Sequence, residues 1–234
     1  MSTVNGFYAL LAAACVAASA PAAGQQPPRP SEPVQKIGDS LFKLGQITID
    51  TARGEVSVPG KINPVSTLEF VANTRGGVKA YESAVTLETD GIDFNVAMLL
   101  IGLDVTHSRA PTRHFDPVPP EGDRVSLTLA WKRGAEQVRV PAEQLLFDKA
   151  AQQTIPVGTW VYTGSVIVPG GRYLANLDGV LIGFVHSPAP IIEHVSGAGV
   201  NRYGEIVLNP HLGLEPNTAV TLTVKALGPN ARQP

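Results

Sequence analysis

Apolar and polar residues alternate along several stretches of this 234-residue chain, and this period of two restricts its fold more than any other feature. Residues 47–58 place Ile or Val at alternate positions on both sides of a turn at residues 50–54. Residues 125–140 repeat the arrangement around a turn at residues 132–134. Successive side chains of a strand point to opposite faces, so each stretch predicts a β-hairpin with one buried face, the first ending at Pro59-Gly60.

Short segments between glycine- and proline-rich turns predict the remaining strands. These segments are residues 68–72, 78–87, 160–168, 172–174, 180–185 and 220–224. Residues 106–123 contain prolines and show no periodicity, which predicts a long loop, and residues 142–147 favour a short helix. The sequence therefore predicts a mainly β (α+β) fold, with antiparallel sheets forming a sandwich or barrel-like domain around one main buried helix.

Residues 96–101 form the longest apolar run outside the N-terminal segment, and they predict that main helix. Ala, Met and Leu favour a helix over a strand. Asp93 is suited to cap its first turn and Gly102 to end it. Nearly every face is apolar, so the helix is expected to be buried. Asn95 then needs hydrogen-bond partners, because a buried amide without them costs about 1–3 kcal/mol.

The formal charge of -2 at pH 7 leaves no cationic excess for nucleic acid or for an anionic membrane surface, and both are excluded as partners. Cys15 is the only cysteine and lies in the apolar segment 7–18. Removal of that segment leaves no thiol for disulfides, for nucleophilic catalysis or for metal binding.

Residues 1–24 are expected to be an export signal peptide. The apolar segment is followed by small residues that fit the small-x-small cleavage rule, which predicts a mature N-terminus between Ala23 and Gln25. The segment before it lacks Lys and Arg, so an uncleaved anchor is one alternative, and lipidation of Cys15 is another. The expected location is the periplasm or cell envelope, with no membrane span after signal removal.

Two units are expected after the signal. Residues 25–36 are rich in proline and predict an extended tether. Residues 37–228 are expected to form a single β-rich domain.

The common catalytic and cofactor motifs are absent from the sequence. The five histidines, at positions 107, 114, 186, 194 and 211, lack metal-ligand spacing, so no metal is expected. Neither Ser165 nor Ser196 stands in a Gly-x-Ser-x-Gly motif. No Gly-x-Gly-x-x-Gly occurs, Gly60-Lys61 lacks phosphate-loop spacing, and no cofactor is expected.

Glu82 is the polar residue whose environment most needs an explanation. On a strand over residues 78–87 it shares a face with Val78 and Ala84, so its carboxyl is either buried and paired or on the floor of a cleft. If it bonds to Asn95 or Ser165 in the core, it is expected to stay neutral. The candidate binding residues are Glu82, Ser83, Asn95, Trp160, Thr163 and Ser165.

An ordered series of motifs resembles the YdjY-domain family of exported bacterial proteins. The series is Tyr81-Glu82-Ser83, residues 95–102, residues 140–146, Trp160–Ser165 and residues 178–183. The resemblance covers roughly residues 44–225 and implies no reaction. Proteins of the family usually have His where this chain has Asn95, so the resemblance implies a hydrogen-bonding role there rather than metal binding or acid–base catalysis.

Two functional hypotheses follow. The leading one is an exported, non-catalytic binding or interaction module of unknown partner, either an envelope protein or a small molecule. The alternative is a ligand-binding protein or enzyme with a cleft around Glu82, Asn95 and Ser165. They differ in whether Glu82 and Asn95 meet in an open pocket or are sealed in the core.

Overall fold

Residues 30–228 are described by the structure, a computed structural model, so the predicted signal peptide, its cleavage site and Cys15 lie outside the described range. The strands are β1 (Gln35–Lys36), β2 (Leu41–Leu44), β3 (Ile47–Asp50), β4 (Glu55–Ile62), β5 (Phe70–Thr74), β6 (Ser83–Leu87), β7 (Asp123–Arg133), β8 (Glu136–Pro141), β9 (Leu146–Asp148), β10 (Gln153–Thr154), β11 (Trp160–Tyr162), β12 (Ile167–Val168), β13 (Arg172–Tyr173), β14 (Val180–Gly183), β15 (Ile192–His194), β16 (Ile206–Leu208) and β17 (Ala219–Ala226). The helices are α1 (Gly91–Leu100), α2 (Leu174–Asp178) and the 3₁₀ turns Ala80–Glu82, Ala142–Leu145 and Pro210–Leu212.

Eight of these strands form a closed barrel, in the order β4, β17, β7, β11, β15, β14, β5 and β6, with β6 pairing back to β4. Neighbours run antiparallel except for the pairs β14–β15 and β5–β6, which are parallel. The predicted mainly β class is confirmed, and of the two architectures expected the chain adopts the barrel. Closure pairs the backbone edges that an open sheet leaves exposed.

Both predicted hairpins are present, as β3–β4 and β7–β8. The predicted end of the first at Pro59-Gly60 is wrong, because β4 continues to Ile62. Gly60 pairs with Val220 on one side and with Leu87 on the other, which is where the barrel closes. A side chain at Gly60 would lie against the backbone of β6, so glycine permits the close approach of these strands.

Helix α1 lies against the barrel instead of being enclosed by it. Phe94, Ala97 and Met98 pack into the core, whereas Leu99 and Leu100 are 46% and 40% exposed. The prediction of a helix buried on all sides is therefore wrong, because composition alone did not identify the face that packs against the barrel.

The ends of α1 differ in part from the expectation. Asp90, not Asp93, caps the first turn by accepting a 2.8 Å hydrogen bond from the Asp93 backbone N–H. The Asp93 carboxylate instead accepts a 2.8 Å bond from the Ser31 backbone N–H. Gly102 has a φ of +89°, the left-handed conformation expected of the residue that ends a helix.

The strand predicted over residues 78–87 begins only at Ser83. Val78 is 68% exposed, and the chain enters β6 through the 3₁₀ turn Ala80–Glu82. Glu82 therefore does not share a strand face with Val78 and Ala84, contrary to the expectation. The apparent alternation in this segment is produced by a turn followed by a strand.

The connections around the barrel are partly ordered by polar contacts. The long loop predicted over residues 106–123 is present up to the start of β7, and the Asp116 carboxylate accepts bonds from Thr112 and Val118. Hydrogen bonds from Thr112 and Val118 lower the pKa of Asp116 to about 2.

In the described part of the predicted tether, β1 pairs with β2. Within residues 30–228, no helix combines the length and the apolar character needed to cross a membrane.

Candidate functional site

A cavity of about 350 Å³ lies beside α1 and is the best candidate for a binding site. One wall is a stripe on α1 formed by Ile92, Asn95, Val96 and Leu99, the spacing of one helical face. Residues from the loop after α1, from the segment after β11 and from the β12–β13 hairpin complete it: Val105, Ser108, Thr163, Gly164, Ser165, Ile167 and Tyr173. A mainly apolar lining with few polar groups is typical of small-molecule sites.

Asn95 connects this lining to the barrel. The hydroxyl of Tyr162, a fully buried residue of β11, donates a 2.7 Å hydrogen bond to Asn95 Oδ1. Burial, together with the charges of Asp104 and Asp123, raises the pKa of Tyr162 above its usual value, so the phenol remains a donor. The amide nitrogen Nδ2 of Asn95 donates to no residue within the described range.

The hydroxyl groups of the lining are all occupied as donors. Their bonds are Ser165 Oγ to Ala189 O at 2.6 Å, Tyr173 OH to Gly164 O at 2.8 Å, Thr163 Oγ1 to Pro190 O at 3.1 Å and Ser108 Oγ to Val105 O at 2.9 Å. Burial raises the pKa of Tyr173, which keeps that phenol protonated. A hydroxyl has one proton and two acceptor lone pairs, so these groups offer a ligand acceptors only.

The segment that leaves β11 owes its shape to two residues with left-handed backbone. Gly164 has a φ of +74° and Ser165 a φ of +59°. A Cβ at Gly164 would overlap the side chain of Val105, so glycine lets the loop after α1 close this side of the cavity. The predicted continuous strand over residues 160–168 is therefore wrong, because β11 ends at Tyr162 and the chain turns here.

Glu82 does not contribute to the cavity. Its carboxylate is buried and lies 2.6 Å from Nζ of Lys79, the residue just before the 3₁₀ turn Ala80–Glu82. Its side-chain partner is Lys79, so the bond to Asn95 or Ser165 on which a neutral carboxyl depended is not the arrangement found. The hydrogen bonds and charge of Glu82 and Tyr81 raise the pKa of Lys79 even though burial lowers it.

Glu69 completes this buried cluster. Burial, and then the negative charge of Glu82, raise the pKa of Glu69. His114, on the long loop, places Nε2 3.5 Å from Glu69 Oε1. The contact between His114 and Glu69 attaches that loop to the barrel.

Ser83 and Trp160, the other two candidates outside the cavity, are parts of the core. Ser83 Oγ donates a 2.8 Å bond to Lys79 O. Trp160 is 1% exposed, and its Nε1 donates a 2.9 Å bond to Glu143 Oε1. Of the six candidate residues, the structure brings Asn95, Thr163 and Ser165 together around the cavity and places Glu82, Ser83 and Trp160 elsewhere.

Two adjacent residues of β15 are buried titratable groups. Burial raises the pKa of Glu193 to about 8, although hydrogen bonds from the backbone of Ser187 and His186 lower it. Burial, followed by the charge of His186, lowers the pKa of His194 to about 4. The hydroxyl of Ser196 lies 2.7 Å from His194 Nδ1, but an imidazole with so low a pKa is a weak base for activating it.

Sequence reasoning missed several lining residues. The stripe formed by Ile92, Val96 and Leu99 follows the helical period, and this signal was hidden because the opposite face of α1 is also apolar. Ser108 and Tyr173 stand in a loop and a two-residue strand, where no periodic pattern marks their side-chain direction. In the part of the chain that the structure describes, no three His, Cys, Asp or Glu side chains are grouped to hold a metal ion.

Comparisons with known proteins identify one relationship. A family model described as the YdjY domain matches residues 47–195. This range contains seven of the eight barrel strands and both walls of the cavity, whereas β17 lies beyond it. No curated protein and no solved structure matches the chain.

Proposed function

This chain belongs to the YdjY domain family, and we propose that it is an exported, non-catalytic binding module that takes up a small molecule in the cavity beside α1. The cavity is the observation that carries the proposal. Its volume of about 350 Å³ lies within the range of roughly 300–1,000 Å³ found for small-molecule sites. Export is supported by the apolar segment 7–18 and the small residues that follow it.

The apolar stripe on α1 supports ligand binding by its position. Leu99 is 46% exposed at the cavity, and Ile92 and Val96 beside it are partly exposed. Covering apolar surface contributes roughly 25 cal/mol per Å², so a ligand that fills this concave surface gains affinity from the same side chains that water now contacts. A helix face that packed only for stability would bury these side chains against the barrel.

The polar groups of the lining support binding over catalysis. The hydroxyl of Ser165 is held by Ala189 O, and no imidazole or carboxylate belongs to the lining. Nucleophilic catalysis needs a base within hydrogen-bond reach of the nucleophile. The lining offers hydrogen bonds and apolar contacts instead.

Native mass spectrometry of the protein purified from its own host tests the proposal. Leu99→Arg places a long cation in the cavity wall at a position exposed enough to tolerate it. Leu177→Arg is the matched control, because Leu177 is a helical leucine that is 42% exposed and does not line the cavity. We expect a bound mass in the parent and in Leu177→Arg, and its loss in Leu99→Arg. A bound mass that survives in Leu99→Arg, or none in the parent, contradicts the proposal.

A further inference from the structure

We propose that the ligand is an uncharged amphiphile, an ester or amide on an aliphatic chain, and that Asn95 Nδ2 donates a hydrogen bond to its carbonyl oxygen. This inference rests on the proposed function and names the chemical class that the cavity selects.

The hydrogen bonds already made by the lining show that a ligand must bring an acceptor, the role that a carbonyl oxygen fills. The hydroxyls of Ser108, Thr163, Ser165 and Tyr173 already donate to backbone oxygens. The backbone N–H groups of Thr163 and Gly164 both donate to Ile191 O. Asn95 is different, because Tyr162 occupies the oxygen of this cavity-lining amide and its nitrogen donates to no residue within the described range. A ligand that satisfies this donor must supply an acceptor.

Charge separates an ester or amide from a carboxylic acid. The lining contains no side chain that is charged at neutral pH. Arg109, next to Ser108 in the sequence, is paired with Glu121 at 2.6 Å. The charges of Asp104 and Asp123 act on Tyr162, the residue that holds Asn95. A carboxylate ligand would therefore lose hydration without gaining a cation.

The apolar part of the ligand is matched by the remaining wall. Ile92, Val96 and Leu99 line the α1 side, while Val105 and Ile167 face the cavity from two other segments. Because Asn95 belongs to the same helical stripe, a carbonyl bound to its nitrogen leaves an attached chain in contact with these side chains. An aliphatic chain fits such a surface without requiring further polar partners.

Three probes of equal chain length test the inference: methyl decanoate, decanoate at pH 8 and decane. Binding to the full mature chain is measured by NMR titration, which also follows the side-chain amide signal of Asn95. We expect the ester to shift that signal and to bind at least about tenfold more tightly than decanoate, because both can accept from Asn95 Nδ2 but only decanoate loses the hydration of a charge.

Asn95→Asp is the specific variant, because it keeps an oxygen that accepts from Tyr162 and replaces the donor by a second acceptor. We expect it to unfold near the parent temperature, to lose about tenfold in affinity for the ester and to keep the affinity for decane. Leu177→Arg should retain both affinities.

Any one of four results would overturn the inference. The inference requires decanoate to bind more weakly than the ester, so equal affinities contradict it. Unchanged ester affinity in Asn95→Asp contradicts it as well. If decanoate binds well and Leu99→Arg abolishes that binding, the ligand class is wrong while the binding function stands. If none of the probes binds the parent, the ligand class is wrong, and native mass spectrometry decides separately whether the cavity holds another ligand.

Discussion

The hydroxyl of Tyr162 and the side-chain oxygen of Asn95 lie 2.7 Å apart, although 67 residues separate them in the sequence. Tyr162 is fixed in the barrel by the neighbouring strands β7 and β15, whereas Asn95 belongs to a helix on the outside. Their hydrogen bond joins α1 to the barrel and occupies the oxygen of the Asn95 amide.

The two partners of this bond differ in burial, so their removal should differ in cost. Asn95→Ala leaves the buried Tyr162 hydroxyl without an acceptor, and we expect a loss of about 1–3 kcal/mol in the free energy of unfolding. Tyr162→Phe leaves only the half-buried amide, which water can reach, and we expect a loss of about 0.5–1.5 kcal/mol. Urea unfolding of the two single variants and of the double variant measures these losses in the free energy of unfolding. If the loss in the double variant equals the sum of the two single losses, the contact is not formed in solution.

Trp160 is buried in the core, edge-on to His194 with 4.7 Å between ring centroids. We expect Trp160→Ala to lower the free energy of unfolding by about 3–5 kcal/mol, as other large-to-small core changes do. Tyr203→Ala is the control, since Tyr203 is exposed and surface changes usually stay within about 0.5 kcal/mol. A denaturant midpoint of Trp160→Ala close to that of Tyr203→Ala would place Trp160 at the surface.

Glu82 is buried against a cation, so removing its charge should have a cost. We expect Glu82→Gln to lose about 1–2 kcal/mol at neutral pH, with solvent around the partly exposed Lys79 limiting the effect. The loss should shrink in a Lys79→Gln background, which a double-mutant cycle measures. NMR titration should show the pKa of Glu69 falling when the neighbouring charge is removed. A Glu82→Gln variant as stable as the parent would support the neutral carboxyl expected from the sequence.

Glu193 should make stability depend on pH. Its folded pKa of about 8 exceeds the value of about 4.3 expected in the unfolded chain. A raised folded pKa gives stability that is present at low pH and lost as the pH rises through the folded value. A difference of one between the folded and unfolded pKa corresponds to about 1.4 kcal/mol. We therefore expect the free energy of unfolding to fall by at least about 2 kcal/mol between pH 5 and pH 8 because of this group.

Glu193→Gln isolates that contribution, because glutamine does not titrate. Chemical unfolding at pH 5 and at pH 8 should show a smaller decrease for the variant than for the parent. Parallel pH profiles of the two proteins would show that Glu193 keeps an ordinary pKa in the folded state.

The sequence predicted the fold class because the alternating stretches are long. Each arm of the hairpins β3–β4 and β7–β8 buries one face, and the period of two records this directly. The position of Glu82 was predicted wrongly because residues 78–82, which precede β6, show an alternation like that of a strand. Lys79 and Glu82, three positions apart with opposite charges, were the local signal of a helical turn.

The candidate site was predictable only in part. Asn95 was identified because an amide in an apolar helix needs a partner, and Ser165 because it belongs to the Trp160–Ser165 motif that resembles the family. That Tyr162 is the partner depends on how β11 meets α1, and no local pattern encodes a contact between such distant segments. That contact also decides which end of the Asn95 amide is occupied, because Tyr162 donates to the oxygen and not to the nitrogen.

Strand β17 lies between β4 and β7 but is the last strand in the described sequence. During synthesis both neighbours are made before it, and until it pairs with them each has an unpaired edge of seven residues, 55–61 in β4 and 125–131 in β7. Such edges pair readily with other chains, so an incomplete chain is exposed to aggregation until its last strand is available. The timing of barrel completion is thus set by residues 219–226, the one barrel strand that the family match does not include.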